Sequence, residues 1–193
     1  MKLVEVYSKE RLNKVKDLYE EAFPKSEKKP FGMILKGRKK GKYEILSIES
    51  EKDEFQGLAI TMHYADFVLL DYFAISPECR GSGIGGEALR ALQKSYTGKK
   101  FLLEIESTVG LENRTEVGKD IAEADEAALR LRRKEFYLRN GMQSMNYLVN
   151  LFGVEMEIMT YGCSVSFEEY HSILEHILPF GMAAKVRPAG FRF

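Results

Sequence analysis

Arg80-Gly81-Ser82-Gly83-Ile84-Gly85-Gly86 follows the apolar run Phe67-Val68-Leu69-Leu70-Asp71-Tyr72-Phe73-Ala74-Ile75 and opens an amphipathic segment. Strand, glycine loop and helix in that order make an anion cradle. Glycine enters positive φ without steric cost, so successive backbone N–H groups turn toward one point beside the positive end of the following helix. A pyrophosphate suits such a site.

Two patterns fit the loop. Gly81-x-Gly83-x-x-Gly86 satisfies the dinucleotide fingerprint, and Glu104, after the run Phe101-Leu102-Leu103, stands about 20 residues on, where a ribose-binding acid is expected. Read from Arg80, the same residues match Q/R-x-x-G-x-G/A, with Ile75-Ser76-Pro77 before them. Here the chain resembles the GNAT family of N-acetyltransferases, whose members hold the acyl-CoA pyrophosphate with this signature. Element order separates the two. A dinucleotide fold opens its sheet at or near the fingerprint, whereas about 80 residues of helix and successive strands come first in this chain. After the loop come one helix, one strand, one helix and two closely spaced strands, which is the acetyltransferase order. G-x-x-x-x-G-K-[ST] does not occur, which excludes a P-loop.

Composition sets wider bounds. The 193 residues are 45% hydrophobic and 30% charged, the profile of a soluble globular chain able to bury a core as one domain, 1–193. Lys plus Arg equals Asp plus Glu at 29 each, so bulk charge points to neither nucleic acid nor an anionic membrane. No apolar run approaches the roughly 20 residues of a membrane span, and Met1-Lys2-Leu3-Val4-Glu5 has no signal-like hydrophobic region; a cytoplasmic protein is expected. Cys79 and Cys163 lack metal-ligand spacing, and His63, His171 and His176 are scattered, so neither a disulfide nor a metal site is expected.

Periodicity supplies the elements. Leu3 to Val6 reads as a short strand, and Ser8 as the N-cap of a helix carrying Leu12, Val15, Leu18, Tyr19 and Ala22, ended by Pro24. Phe31 to Leu35 reads as one helical turn, and Lys36-Gly37-Arg38-Lys39-Lys40 as a solvated turn. Tyr43 to Ile48, Leu58 to Met62 and Val68 to Ile75 form an antiparallel meander. Ile84, Ala88, Leu89, Leu92 and Tyr96 make one helical face, closed near Gly98. Phe101 to Glu106 is the next strand, and a polar stretch with Gly110 and Gly118 leads to a helix near Ala122 to Asn140, with Gly141 as its C′ residue. Asn146 to Leu151 and Glu155 to Tyr161 form a hairpin, and the capping box Ser166-Phe167-Glu168-Glu169 starts the last helix. The class is α/β (α+β), with a mixed, largely antiparallel sheet of about seven strands flanked by helices.

The resemblance adds site residues. Phe136-Tyr137-Leu138-Arg139-Asn140-Gly141-Met142 matches the family's aromatic-Tyr-x-x-x-G-F pattern with Met at the last place, which puts Tyr137 at the position of the usual general acid. A phenol of pKa about 10 can return a proton to a departing thiolate. Arg130 and Arg133 stand where the family often has Asn and Ala, so those two cofactor contacts are in doubt; Arg130-x-Arg132-Arg133-Lys134 also reads as a solvated helical face. The acceptor amine needs a base, and the candidate carboxylates are Glu104, taken here as the base or its relay, and Asp71 and Glu106. The resemblance further implies that Phe73, Ala74 and Ile75 pair their backbone with the pantetheine arm as an added strand, and that Arg80, Gly81, Ser82, Gly83, Ile84, Gly85 and Gly86 hold the pyrophosphate. The activity it implies is acetyl transfer from acetyl-CoA to a primary amine on a small molecule or peptide, by direct attack in a ternary complex without a metal. A non-catalytic acyl-CoA-binding module and a dinucleotide-dependent oxidoreductase are the rivals. Acceptor identity is carried by Pro24 to Gly41 and Phe152 to Glu155, which hold no readable code, although Phe31, Tyr43 and Glu44 would suit a cationic amine. The late hairpin and exposed edges permit a homodimer.

Overall fold

A computed structural model describes residues 1–25, 27–111, 121–178 and 181–191. They hold eight β-strands and five α-helices, and the chain packs as two compact units, Met1–Phe101 and Leu102–Phe193. The mixed α/β class expected from the sequence is the class observed. No helix among the described residues is long and apolar enough to cross a membrane.

The first unit is built on an antiparallel meander. β1 (Lys2–Glu5), β2 (Tyr43–Glu49), β3 (Phe55–Tyr64) and β4 (Phe67–Ile75) pair in that order. Ser8 caps α1 (Lys9–Ala22), its side chain accepting the Arg11 N–H at 3.3 Å. Val15, Leu18 and Tyr19 are the buried stripe of α1, and Ile45, Ile48, Leu58 and Ile60 are fully buried in the strands.

α2 (Phe31–Lys39) is longer than the single turn expected at Phe31 to Leu35, and it absorbs most of the basic run read as a solvated turn. Gly37 does not break the helix. Its missing Cβ makes room for the Tyr43 ring, which such an atom would meet at 2.3 Å. The reversal falls instead at Gly41, whose φ is +69°. Arg38 is only partly solvated: its guanidinium donates to the Val6 carbonyl at 2.5 Å.

β4 is not a regular strand. Ile60 of β3 faces Tyr72 and Thr61 faces Leu70, so Asp71 is one residue more than its partner strand provides, a β-bulge. Beyond the bulge, Phe73, Ala74 and Ile75 face Ala59, Leu58 and Gly57 and are half-exposed, unlike the buried first half of the strand. A 3-10 turn at Pro77–Cys79 leads to α3 (Ile84–Ser95), whose buried Ala88, Leu89 and Leu92 cover the meander.

In the second unit, β5 (Lys100–Glu106, entering at Leu102) precedes α4 (Ile121–Arg139); Gly118, expected in the connection, lies outside the described residues. β6 (Gln143–Leu151) and β7 (Val154–Tyr161) form the expected hairpin, with Phe152 and Gly153 both at positive φ, +54° and +97°, as a tight two-residue turn requires. α5 (Phe167–Ile177) begins at the predicted capping box, in which Ser166 and Glu169 satisfy each other's backbone N–H. β8 (Arg187–Phe191) pairs with β6 and is the eighth strand, absent from the sequence reading. Its residues, Arg-Pro-Ala-Gly-Phe, carry no apolar alternation, and Pro188 removes a ladder donor, which an edge tolerates.

Gly57 tests how tightly β3 meets the end of β4. A Cβ there would stand 2.5 Å from the Ala74 carbonyl oxygen, a backbone atom that cannot rotate aside. Gly57→Ala is expected to cost about 1–3 kcal/mol by overpacking, read as a lowered urea midpoint by circular dichroism.

Candidate active site

The glycine loop is an open cradle in the first unit. Gly81 and Gly83 have φ of +77° and +87°, and a Cβ on either would meet nothing within 4 Å. Glycine is therefore required there by backbone angle, not by crowding. Gly83 is the N-cap of α3 and makes no side-chain cap; the first main-chain N–H bonds back to the loop come from Gly86 at 3.0 Å and Glu87 at 3.2 Å, both to the Gly83 carbonyl. The N–H groups of Gly81, Ser82, Gly83, Ile84 and Gly85 have no main-chain acceptor among the described residues. Side chains brace the loop from behind: Arg80 Nε donates to the Ile75 carbonyl at 3.0 Å, and Ser82 Oγ to the Cys79 carbonyl at 2.5 Å. Five unspent donors at the positive end of a 12-residue helix suit a multiply charged anion. Gly86 already donates to the Gly83 carbonyl and so adds no free donor to the row.

The carboxylates expected from the sequence have different fates. Asp71, on the β4 bulge, is held by Lys29, whose ammonium reaches both carboxylate oxygens at 2.8 and 2.7 Å. In the second unit, Glu104 accepts the fully buried Tyr170 hydroxyl at 2.6 Å. Glu106 pairs with Arg130 at 3.1 Å and lies 3.9 Å from Arg133.

Tyr137 sits on α4, half-buried, with its ring edge-on to Phe136 at 5.2 Å. Its hydroxyl has no hydrogen-bond partner among the described residues. Burial pushes the phenol up to about 12, and the Arg133 guanidinium acts in the opposite direction. Gly141, at φ +86°, ends the helix as predicted and packs against Tyr161.

The basic segment of α4 is only partly the solvated face expected. Arg132 is exposed and Arg133 partly so, but Lys134 is 8% exposed and donates to Thr108 at 3.0 Å, beside the fully buried Glu157 at 3.3 Å. Glu157 also accepts the Ser144 hydroxyl. Arg130 bonds Glu126 at 2.5 Å as well as Glu106, and its Nε is buried with no partner among the described residues. Spacings of three, four and seven put Arg130, Arg133, Lys134 and Tyr137 on one helical face. That periodicity was available in the sequence; the acidic partners on other elements, Glu106 and Glu157, were not.

Of the residues suggested for a cationic acceptor, Phe31 and Tyr43 are buried in the packing around α2. Glu44 instead lines an open cleft of about 630 Å3 within the first unit, with Glu5, Tyr7, Arg38, His63 and Tyr96. Tyr96 donates to Glu44 at 2.5 Å, and His63 lies 3.4 Å from the same oxygen. The hydrogen bond from His63, then that from Tyr96, holds Glu44 below its usual range against the opposing effect of burial.

No family model and no curated protein matches the sequence. Solved structures do. A protein described as an acetyltransferase of the GNAT family, from Bacteroides thetaiotaomicron, is 19% identical with a TM-score of 0.70, over 92% of this chain and 98% of that one. An aminoglycoside 6'-N-acetyltransferase complexed with coenzyme A is 16% identical with a TM-score of 0.61, over 86% and 100%. A spermidine N-acetyltransferase chimera of Vibrio cholerae SpeG and hSSAT is 15% identical with a TM-score of 0.59, over 83% and 96%. The likeness is one of fold: the chain has the architecture of GNAT acyl-CoA N-acyltransferases.

The Lys134–Glu157 pair is buried on both sides. Lys134→Met removes the ammonium beside the buried Glu157 and is expected to destabilise by about 3–5 kcal/mol. Adding Glu157→Gln is expected to recover most of that loss in urea denaturation.

Proposed function

We propose that the chain is an acetyl-CoA-dependent N-acetyltransferase, both units serving one domain over 1–193, that moves the acetyl group to a primary amine by direct attack in a ternary complex. The observation that carries this reading is the Gly81 to Gly85 row of unspent N–H donors, placed directly after a strand end whose Phe73, Ala74 and Ile75 are half-exposed. The likeness to acetyltransferase folds, one of them complexed with coenzyme A, supports it.

The residues present fit that cofactor. Nothing within 4 Å fills the space at Gly81 and Gly83, so the loop can accept the pyrophosphate while Arg80 and Ser82 hold its shape. Phe73, Ala74 and Ile75 pair the pantetheine arm through their main chain, in the manner of an added strand. When bound, acetyl-CoA supplies an acyl group already activated as a thioester.

The chain's own residues then handle protons. A lysine-like amine of pKa about 10.4 is under ~0.1% neutral at pH 7, so its proton must be removed before its lone pair can attack the carbonyl carbon. Glu104, oriented by Tyr170, receives that proton directly or through water. As the C–S bond breaks, Tyr137 donates toward the departing sulfur. A phenol at about 12 remains fully protonated at neutral pH and so is always ready to donate. Complete transfer to a thiolate whose acid has a pKa of about 8.5 would be uphill by about 5 kcal/mol. Tyr137 therefore acts by a hydrogen bond that strengthens as charge develops, and Arg133 reduces the cost of passing the proton on.

Isothermal titration with acetyl-CoA, with NAD as control, tests the cofactor. Micromolar binding of acetyl-CoA alone is expected. Gly83→Val, strained at φ +87°, should weaken it at least tenfold with the circular dichroism spectrum unchanged. Tyr137→Phe should leave that affinity unaltered and lower kcat on an amine panel by about 10²-fold or more. Binding without turnover would favour an acyl-CoA-binding module, and preference for NAD would overturn the reading.

A further inference from the structure

Asp71 is surrounded by what proteins use to bind an ammonium ion. Its carboxylate acts on the nearby Tyr72 and Tyr43 phenols, and the Met62 thioether lies 3.9 Å from the ammonium that fills the site. Tyr72 in turn belongs to an aromatic cluster, with Tyr19 against Phe31 at 5.3 Å and Phe23 against Tyr72 at 5.0 Å. Carboxylate, aromatic faces and a polarizable sulfur together favour a cation. The occupant is the chain's own Lys29. Its ammonium bonds both Asp71 oxygens and lies 5.7 Å from the Tyr72 ring centre.

The backbone holds that lysine in place. The Lys29 N–H donates to the Tyr72 hydroxyl at 3.0 Å, which donates to the Glu27 carbonyl at 3.0 Å, while Tyr19 donates to the Lys29 carbonyl at 2.8 Å. Burial alone would lower the ammonium's pKa, but Asp71 and the flanking phenols outweigh it and raise it, so Lys29 stays charged. The pair is largely shielded, with side-chain exposures of 27% for Lys29 and 10% for Asp71. Asp71 is also the extra residue of the β4 bulge, two positions before Phe73.

We infer that Lys29 is a specificity-determining residue: it fills the cation site at Asp71, so that the acceptor is a primary amine without a second cationic group. This rests on the acetyltransferase reading, which puts the acetyl group along this stretch of β4. An acceptor carrying a further ammonium would meet a site already neutralised by Lys29. One whose remainder is uncharged or bears a carboxylate meets no such conflict. Polyamines are therefore excluded by an internal lysine that occupies the place their own charge would take.

The experiment is calorimetric titration of spermidine, in the presence of CoA, into wild type, Lys29→Ala and Lys29→Ala/Asp71→Asn. Lys29→Ala is expected to bind spermidine at least tenfold more tightly than wild type, and the double variant to lose that gain. Lys29→Gln, which keeps most of the side-chain volume, is the companion if the truncation does not fold, with at least a threefold gain expected. Equal spermidine affinity in wild type and the Lys29 variants, or a gain that survives Asp71→Asn, overturns the inference. Acetyl-CoA titrated into the same samples separates the two claims: its failure to bind wild type sinks the transferase reading, whereas the spermidine comparison reads the cation site itself.

Discussion

The chain has to leave a strand and enter a helix while keeping several main-chain donors unspent. Backbone N–H groups hidden without an acceptor are costly, so a run of them persists only where solvent or a ligand supplies the acceptor. Between Ile75 and Ile84 the chain meets this condition with two glycines at positive φ and with braces that hold the loop through its carbonyls, at Ile75 and Cys79, leaving the N–H groups alone. The meander beneath gives the loop a fixed base, and α3 adds the field of its N-terminus. The pyrophosphate assignment and the strand-end assignment both follow from this junction.

Charge is managed differently elsewhere. Equal numbers of acids and bases might be spread over a surface, yet the chain draws several pairs inward: Arg11 with the nearly buried Glu49 at 2.7 Å, Lys29 with Asp71, and Lys134 with Glu157. Buried pairs add little net stability over apolar packing, but each penalises any arrangement that separates its members. They fix which faces meet. Asp71 is matched to Lys29 in this way, and Glu106 to Arg130.

Much of the architecture could be read along the chain because it is written in local signals. Ser8 and Ser166 mark helix starts, Gly141 a helix end, and the meander strands alternate or run apolar within the limits observed. The misreadings have physical causes. Gly37 looks like a breaker, but its role is clearance for Tyr43, a contact set by the fold and not by neighbouring residues. β8 forms because β6 offers it a ladder, with no hydrophobic pattern of its own. In the site, the glycine loop and Tyr137 were visible as motifs. Lys29 was not: a lysine between Lys28 and Pro30 has no distinguishing pattern, and its partner is 42 residues away on the bulge.

That bulge carries a consequence for how such a chain can vary. Side chains alternate along a strand, so one surplus residue exchanges the two faces for everything beyond it. Phe73, Ala74 and Ile75 keep their present orientation only because Asp71 is the surplus residue. Substitutions at these three positions leave the main chain, and whatever it pairs with, in place. Straightening the strand with the residue count unchanged would instead turn the segment over, whereas removing Asp71 would leave a regular ladder in which Tyr72 still faces Ile60. Descendants of this sequence are therefore free to change the letters at the strand end, and even to drop the surplus letter, but not to keep that letter and lose the bulge.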